Sequence, residues 1–220
     1  MTAIDFFQSI GATRDAGDRR EKMKNGNLPA ASEDYLNFGA DYFDNPDLGI
    51  GYGGYHYDGR YGDAASEICR HYNLQPGSRV LEIGCAKGFL LYEFHRLGLA
   101  VTGLDISDYA VGHAHPEVQR YLCLGDTSLL PFPDGQFDLV LAKEILPHVR
   151  SDQLHLALAE CARVSRGGIY FVIQAGRGDG DLEEMAAWDP THQVLRTEAW
   201  WRSALADMPV RPDVIFKHLF

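Results

Sequence analysis

The stretch VLEIGCAKGFLLYEFHRLG, residues 80–98, constrains the fold more than any other part of the chain. An apolar strand runs into a turn marked by Gly84 and Gly88, and a helix follows that stops at Gly98. Such a turn must bend sharply and lie close to a ligand, which a Cβ would obstruct. The helix behind it presents unpaired N–H groups and a positive end, suited to an anionic group. The strand–helix unit then recurs. AVTGLD (100–105) reads as a second strand, with a helix from Ser107-Asp108 to near Pro116, and RYLCLGD (120–126) as a third. QFDLVLAKE (136–144) is a fourth, announced by the turn Pro133-Asp134-Gly135. DQLHLALAECARV is a helix with Leu154, Leu158, Cys161 and Ala162 on one stripe, and GGIYFVIQ (167–174) is a fifth strand.

Strands and helices alternating at this length imply right-handed crossovers. The expected fold is α/β and Rossmann-like: a doubly wound, mostly parallel sheet with helices on both faces. The chain divides near Gln75-Pro76-Gly77. Residues 76–220 form the core, and residues 1–75 form a helical and looped lid segment packed on it, one structural domain overall. Within that segment, 35–61 is rich in Gly, Tyr and Asp and reads as loops and short turns. Residues 62–72 read as a helix with Ala65, Ile68, Cys69 and Tyr72 inward. Toward the end, 176–196 reads as a long loop with room for a short helix, Trp200 to Leu205 as a helix, and Val214 to Leu219 as a closing strand.

Charge narrows the function. The 31 acidic residues against 20 basic ones leave a net charge of −11, which disfavours nucleic acid as partner. The one basic cluster, residues 19–24, reads as a solvated helix face. The start of the chain lacks a signal-peptide pattern and no apolar run is long enough to span a membrane, so a soluble, cytoplasmic protein without membrane partners is expected. The cysteines, at 69, 85, 123 and 161, form no C-x-x-C pair. His113 and His115 stand before a proline at a helix end, and no metal is expected.

Three further features sit at strand ends, where open α/β sheets bind ligands. Asp105 ends the second strand, where a carboxylate can accept both hydroxyls of a ribose. Asp126, in LGDT, can accept from an adenine amino group. The run LPFPDGQFDLV (130–140) leads into Lys143 and Glu144. In this order and spacing, EIGCAKG (82–88), GLDIS (103–107), Gly125-Asp126 and LPFPDGQFDLV resemble the successive motifs of class I S-adenosylmethionine-dependent methyltransferases, over about residues 75–174. The variant CAKG turn and Tyr57-Asp-Gly-Arg60-Tyr resemble a small bacterial branch of that family. The resemblance implies S-adenosylmethionine as cofactor. Glu82, Gly84, Cys85 and Gly88 would line its methionine portion, Asp105 with Ile106 the ribose, and Asp126 and Thr127 the adenine. Lys143 and Glu144 would face cofactor and substrate. Members of this fold usually finish with two adjacent antiparallel strands, and this chain has room for about one. Ile145-Leu-Pro-His-Val also lacks the amide-rich signature of enzymes that methylate exocyclic base nitrogens.

The remaining candidates each have a plainer reading beside the functional one. His148, just past the fourth strand, is a candidate base or a satisfied surface histidine. His192, in DPTH, is a second candidate base. Tyr52 and Tyr55, with His56 and Tyr57, form a lid whose rings stabilise a sulfonium, or they staple a loop to the core. Arg60 pairs with the cofactor carboxylate, or with a surface acid. The expected activity is methyl transfer to a small-molecule acceptor at oxygen or nitrogen, with Tyr52, Glu144 and His148 on the substrate side. A non-catalytic adenosyl-binding module, a protein or RNA methyltransferase and an NAD-dependent oxidoreductase are the rivals. The last is disfavoured because Ala86 stands at the second glycine of the G-x-G-x-x-G pattern. The oligomeric state is left open.

Overall fold

The computed structural model describes residues 4–10, 21–22, 25–27 and 29–218. The expected helix face over 19–24 therefore falls largely outside the described residues, as does the Leu219 end of the closing strand.

Six strands make one sheet: β1 (Arg79–Ile83), β2 (Ala100–Asp105), β3 (Leu122–Leu124), β4 (Phe137–Lys143), β5 (Ser165–Gln174) and β6 (Asp213–Lys217). Their order is β3-β2-β1-β4-β5-β6, and each neighbouring pair is parallel. The helices are α1 (Glu33–Leu36), α2 (Ala40–Phe43), α3 (Gly62–His71), α4 (Phe89–Arg96), α5 (Asp108–Gly112), α6 (Leu154–Val164), α7 (Asp179–Trp188) and α8 (Glu198–Ala206). The doubly wound, Rossmann-like α/β fold read from the sequence is the fold observed.

Side-chain alternation along each strand sorts the core into two layers. Val80, Val101, Leu139, Leu141, Tyr170 and Val172 face α3, α4 and the N-terminal aromatics Phe6, Phe7 and Tyr35. Leu81, Ile83, Leu104, Val140, Phe171 and Ile173 face α6 and α8. Helix α4 ends as its glycine requires: Gly98, at φ +82°, sends its N–H to His95 O, and Leu99 N–H reaches Phe94 O. Ser107 caps α5 by accepting from Ala110 N–H.

Two elements depart from expectation. The third strand spans only Leu122–Leu124, because Gln119–Tyr121 wind into a 3₁₀ turn instead. The stretch 176–196, read as a loop with room for a short helix, carries in α7 a longer one of ten residues, on which Met185 is the buried residue. The sheet edge is a single strand, β6, and the crossover through α8 makes it parallel to β5. Among the described residues, no helix is long and apolar enough to cross a membrane.

Candidate active site

Strand order reverses between β1 and β4, and there, at the carboxyl ends of β1, β2 and β4, lies a cavity of about 520 Å³. Its floor is the turn after β1. Gly84 has φ +65°, and a Cβ built on it would stand 2.1 Å from Ile145 Cγ2, so only glycine fits. Asp105 closes β2 and lines the cavity, its Oδ2 accepting from Ala86 N–H at 2.6 Å and Oδ1 from Ser107 N–H at 2.9 Å. Burial raises its pKa, and those backbone donors pull it back. Ala86 N–H is spent on Asp105, and those of Gly84 and Cys85 on Leu104 O, so these three donors fix the turn to β2.

Gly125, Asp126 and Thr127 line the wall beyond Asp105, and Ile106 stands at the rim, 60% exposed. Asp126 is held by its own turn, Oδ1 accepting from the N–H and hydroxyl of Ser128 at 2.7 Å each. From the N-terminal segment come Tyr52, stacked on Phe43 at 5.6 Å, with Tyr42 and Arg60. Burial raises the Tyr52 pKa, so its hydroxyl stays neutral. The Arg60 guanidinium lines the cavity and engages Asp58, with Nε 2.8 Å from Oδ2. Lys143 and Glu144, from the end of β4, also line the cavity, Nζ to Oε2 3.3 Å. Burial disfavours the Lys143 ammonium, but Glu144, Tyr61 and Tyr52 together push its pKa up, so it stays charged. Glu144 sits at φ +61°, pinned by its N–H on Val172 O.

Five of the residues expected at the site do not reach the cavity lining. Glu82 points into the layer beneath it, and its buried Oε2 has no hydrogen-bond partner. Burial, with Asp105 adding to it and Lys143 opposing, drives its pKa up to about 8. Gly88 is the left-handed cap of α4, and its bare Cα makes room for Val118 and Leu122. Cys85 is a buried packing residue whose thiol is pushed well up by burial. Tyr55 backs the aromatic wall, its ring 4.5 Å from Tyr52 and its hydroxyl 3.3 Å from that of Tyr61. His192 lies behind His148, with centroids 4.6 Å apart and Nδ1 3.3 Å from Met185 O.

His148 does reach the cavity. It closes a 3₁₀ turn, Leu146–His148, set against the loop after α7: Gln193 and Val194 N–H both donate to Pro147 O, at 2.8 and 2.9 Å. That loop brings in two residues the sequence reading did not single out, Asp189 and Thr191. Burial lowers the His148 pKa while Asp189 opposes the drop. The donor atoms of His148, Asp189 and His192 lie within 4.8 Å of one another.

Known proteins resemble the chain in sequence and fold. A family model described as a methyltransferase domain matches residues 81–173. An uncharacterized methyltransferase of Synechocystis is 30% identical over 157 residues, 67% of this chain and 72% of that protein. A ubiquinone biosynthesis O-methyltransferase of Rhodopseudomonas palustris is 31% identical over 161 residues, 67% of this chain and 58% of that one. The chain spans less than two thirds of the length of most of the curated relatives it matches. Among solved structures, the YcgJ protein of Bacillus subtilis shares the fold at a TM-score of 0.55 and 23% identity, covering 64% of this chain and 65% of that one. The motifs from Glu82 to Val140, the parallel sheet and these matches together make the chain a member of the class I S-adenosylmethionine-dependent methyltransferase family.

Proposed function

We propose that the protein transfers a methyl group from S-adenosylmethionine to the oxygen or nitrogen of a small-molecule acceptor. The observation that carries this reading is one cavity lined at once by the Gly84 turn, Asp105 and Asp126 and by His148. The residues present fit the cofactor. Asp105 lines the cavity beside the turn, and a Cβ at Gly84 would foul Ile145 where the chain must lie close. Tyr42, Phe43 and Tyr52 supply aromatic faces to a sulfonium. That S-adenosylmethionine is the cofactor is supported by the family. The small-molecule acceptor is supported by relatives such as the ubiquinone biosynthesis O-methyltransferase.

The cofactor supplies an activated methyl on a sulfonium, a leaving group that needs no acid. What remains for the chain is alignment, exclusion of water and one proton. Asp105, fixed by two backbone donors, accepts the ribose hydroxyls. The Tyr42, Phe43 and Tyr52 wall covers the site. His148, held neutral by burial, takes the proton of the acceptor.

Calorimetric titration tests the first half. S-adenosylmethionine and S-adenosylhomocysteine should bind at micromolar affinity, and Asp105→Ala should weaken binding by roughly tenfold or more. Binding of NAD alone would overturn the reading. The second half is tested by methyl transfer to a panel of phenols, hydroxy acids and amines. His148→Ala should lower turnover by about a hundredfold while cofactor affinity stays within twofold. Unchanged turnover would remove His148 from the mechanism.

A further inference from the structure

The loop after α7 buries two polar side chains, Asp189 and Thr191, for which methyl donation has no use. We propose that they are positioning residues for His148: Asp189 holds the Thr191 hydroxyl proton, Thr191 Oγ1 holds the His148 Nδ1 proton, and Nε2 is thereby kept as the accepting nitrogen of the ring. The proposal rests on the reading of His148 as proton acceptor and says how it is prepared for that work.

The direction of each hydrogen bond follows from the partners. Asp189 Oδ1 receives Thr191 N–H at 3.0 Å, the Thr191 hydroxyl at 2.7 Å and the Tyr35 hydroxyl at 3.3 Å. An oxygen meeting three donors is the acceptor of an ionised carboxylate, which has no hydrogen to give. The hydrogen in the 2.7 Å contact therefore belongs to Thr191. Having spent its one hydrogen, Thr191 Oγ1 has only lone pairs to offer His148 Nδ1, 2.9 Å away. Nδ1 must carry a proton, so in the neutral ring Nε2 does not. The two N–H bonds onto Pro147 O hold the loop against the turn that carries His148, and Phe38 meets the imidazole edge-on at 5.9 Å.

The charged and titratable groups facing His148 come from four elements. Asp189 and His192 belong to the same loop, Glu144 follows β4, Asp105 ends β2, and Tyr42 comes from α2 by way of Thr191. In the step itself, the acceptor's O–H or N–H bond breaks, and its electron pair forms the new bond to the methyl carbon. The sulfur–methyl bond breaks with its pair left on sulfur. The proton passes to Nε2 and later to water. The ring is then an imidazolium whose Nδ1–H still rests on Thr191, with the Asp189 charge one hydroxyl away, so the relay stabilises the charged ring as it forms.

The test is the ¹⁵N spectrum of the histidine rings in the whole protein, with and without S-adenosylhomocysteine. Wild-type His148 should show the Nδ1–H tautomer. Thr191→Val, nearly isosteric, should show a share of Nε2–H, and Thr191→Ser should restore the wild-type pattern. In the methyl-transfer assay, Thr191→Val should lower kcat about tenfold to a hundredfold with KM and cofactor affinity within twofold, and Thr191→Ser should recover to within about threefold. The alkaline rise of kcat with pH should also begin at lower pH in Thr191→Val, because the bond that favours the charged ring is gone. An Nε2–H tautomer in the wild type would overturn the relay, as would an unchanged Thr191→Val in a protein that His148→Ala inactivates. Activity lost to a chelator and restored by a divalent metal would overturn it in favour of a metal centre. If His148→Ala itself leaves turnover intact, it is the underlying base assignment that falls, whatever the tautomer.

Discussion

Glu82 and Gly84 lie two residues apart, and each shows a local rule broken for the sake of the site. A carboxyl with an unpartnered oxygen inside an apolar layer is costly when ionised, and its pKa of about 8 records the cost. The consequence for stability has a definite sign. The folded value lies above the unfolded one, near 4.5. Between those values the unfolded chain gives up a proton that the folded chain keeps. Glu82 therefore lowers stability as pH rises from about 4.5 to about 8, and the loss levels off above that. Glu82→Gln should flatten this part of the profile. Urea unfolding at pH 8 should find the variant more stable by on the order of a few kcal/mol, with little difference at pH 4.5. A variant that follows the wild-type slope would show that the carboxyl is ionised in the folded protein. At Gly84 the requirement is steric as well as conformational, and the sequence displayed that glycine plainly. It could not display Asp189 or Thr191. Their meaning depends on His148, 43 positions from Thr191, and on a loop that only the folded chain brings against it.

Among the elements, those that bury a regular stripe were legible and those that do not were not. Strand β5 carries a continuous apolar run, and α6 buries Leu154, Ala157, Leu158, Cys161 and Ala162, a helical period that reads directly from the letters. Helix α7 has four acids in ten residues and buries chiefly Met185, so nothing in its pattern marks a helix. The N-terminal segment is held by a device that also escaped notice, the buried Lys87 of the glycine turn. Its ammonium lies 2.6 Å from Asp44 Oδ2 and 3.0 Å from Tyr55 O, while the Tyr109 hydroxyl reaches the same carboxylate at 2.7 Å. Ser107 Oγ adds a bond to Phe38 O. Burial pushes the Asp44 pKa up, but Lys87 and Tyr109 outweigh it and the net shift is downward. The contribution of Asp44 is thus present above its unfolded pKa and lost as pH falls through the depressed folded value. Lys87→Met should cost about 1–3 kcal/mol, less than for a fully buried pair because Asp44 is partly exposed. Limited proteolysis should then cut within residues 44–55 sooner than in the wild type. Equal cutting rates would show that the segment is held by its aromatic packing alone.

At the scale of the whole molecule, alternating strands and helices were enough to give the doubly wound sheet, because each crossover has one favoured hand and each strand one buried parity. The edge was harder to read. A lone closing strand becomes parallel or antiparallel according to the connection before it, and α8 decided that here. The position of the cavity followed from the strand order, and Tyr52 and Arg60 were read as part of its wall, whereas Tyr42, from a short helix with no regular stripe, was not. The N-terminal segment meets the core at several points, among them the Asp44 carboxylate, gripped by Lys87 from the turn after β1 and by Tyr109 from α5 while the N–H of Tyr55 ties it within the segment. One carboxylate thus serves as a common anchor, and its loss would loosen three partners in one stroke.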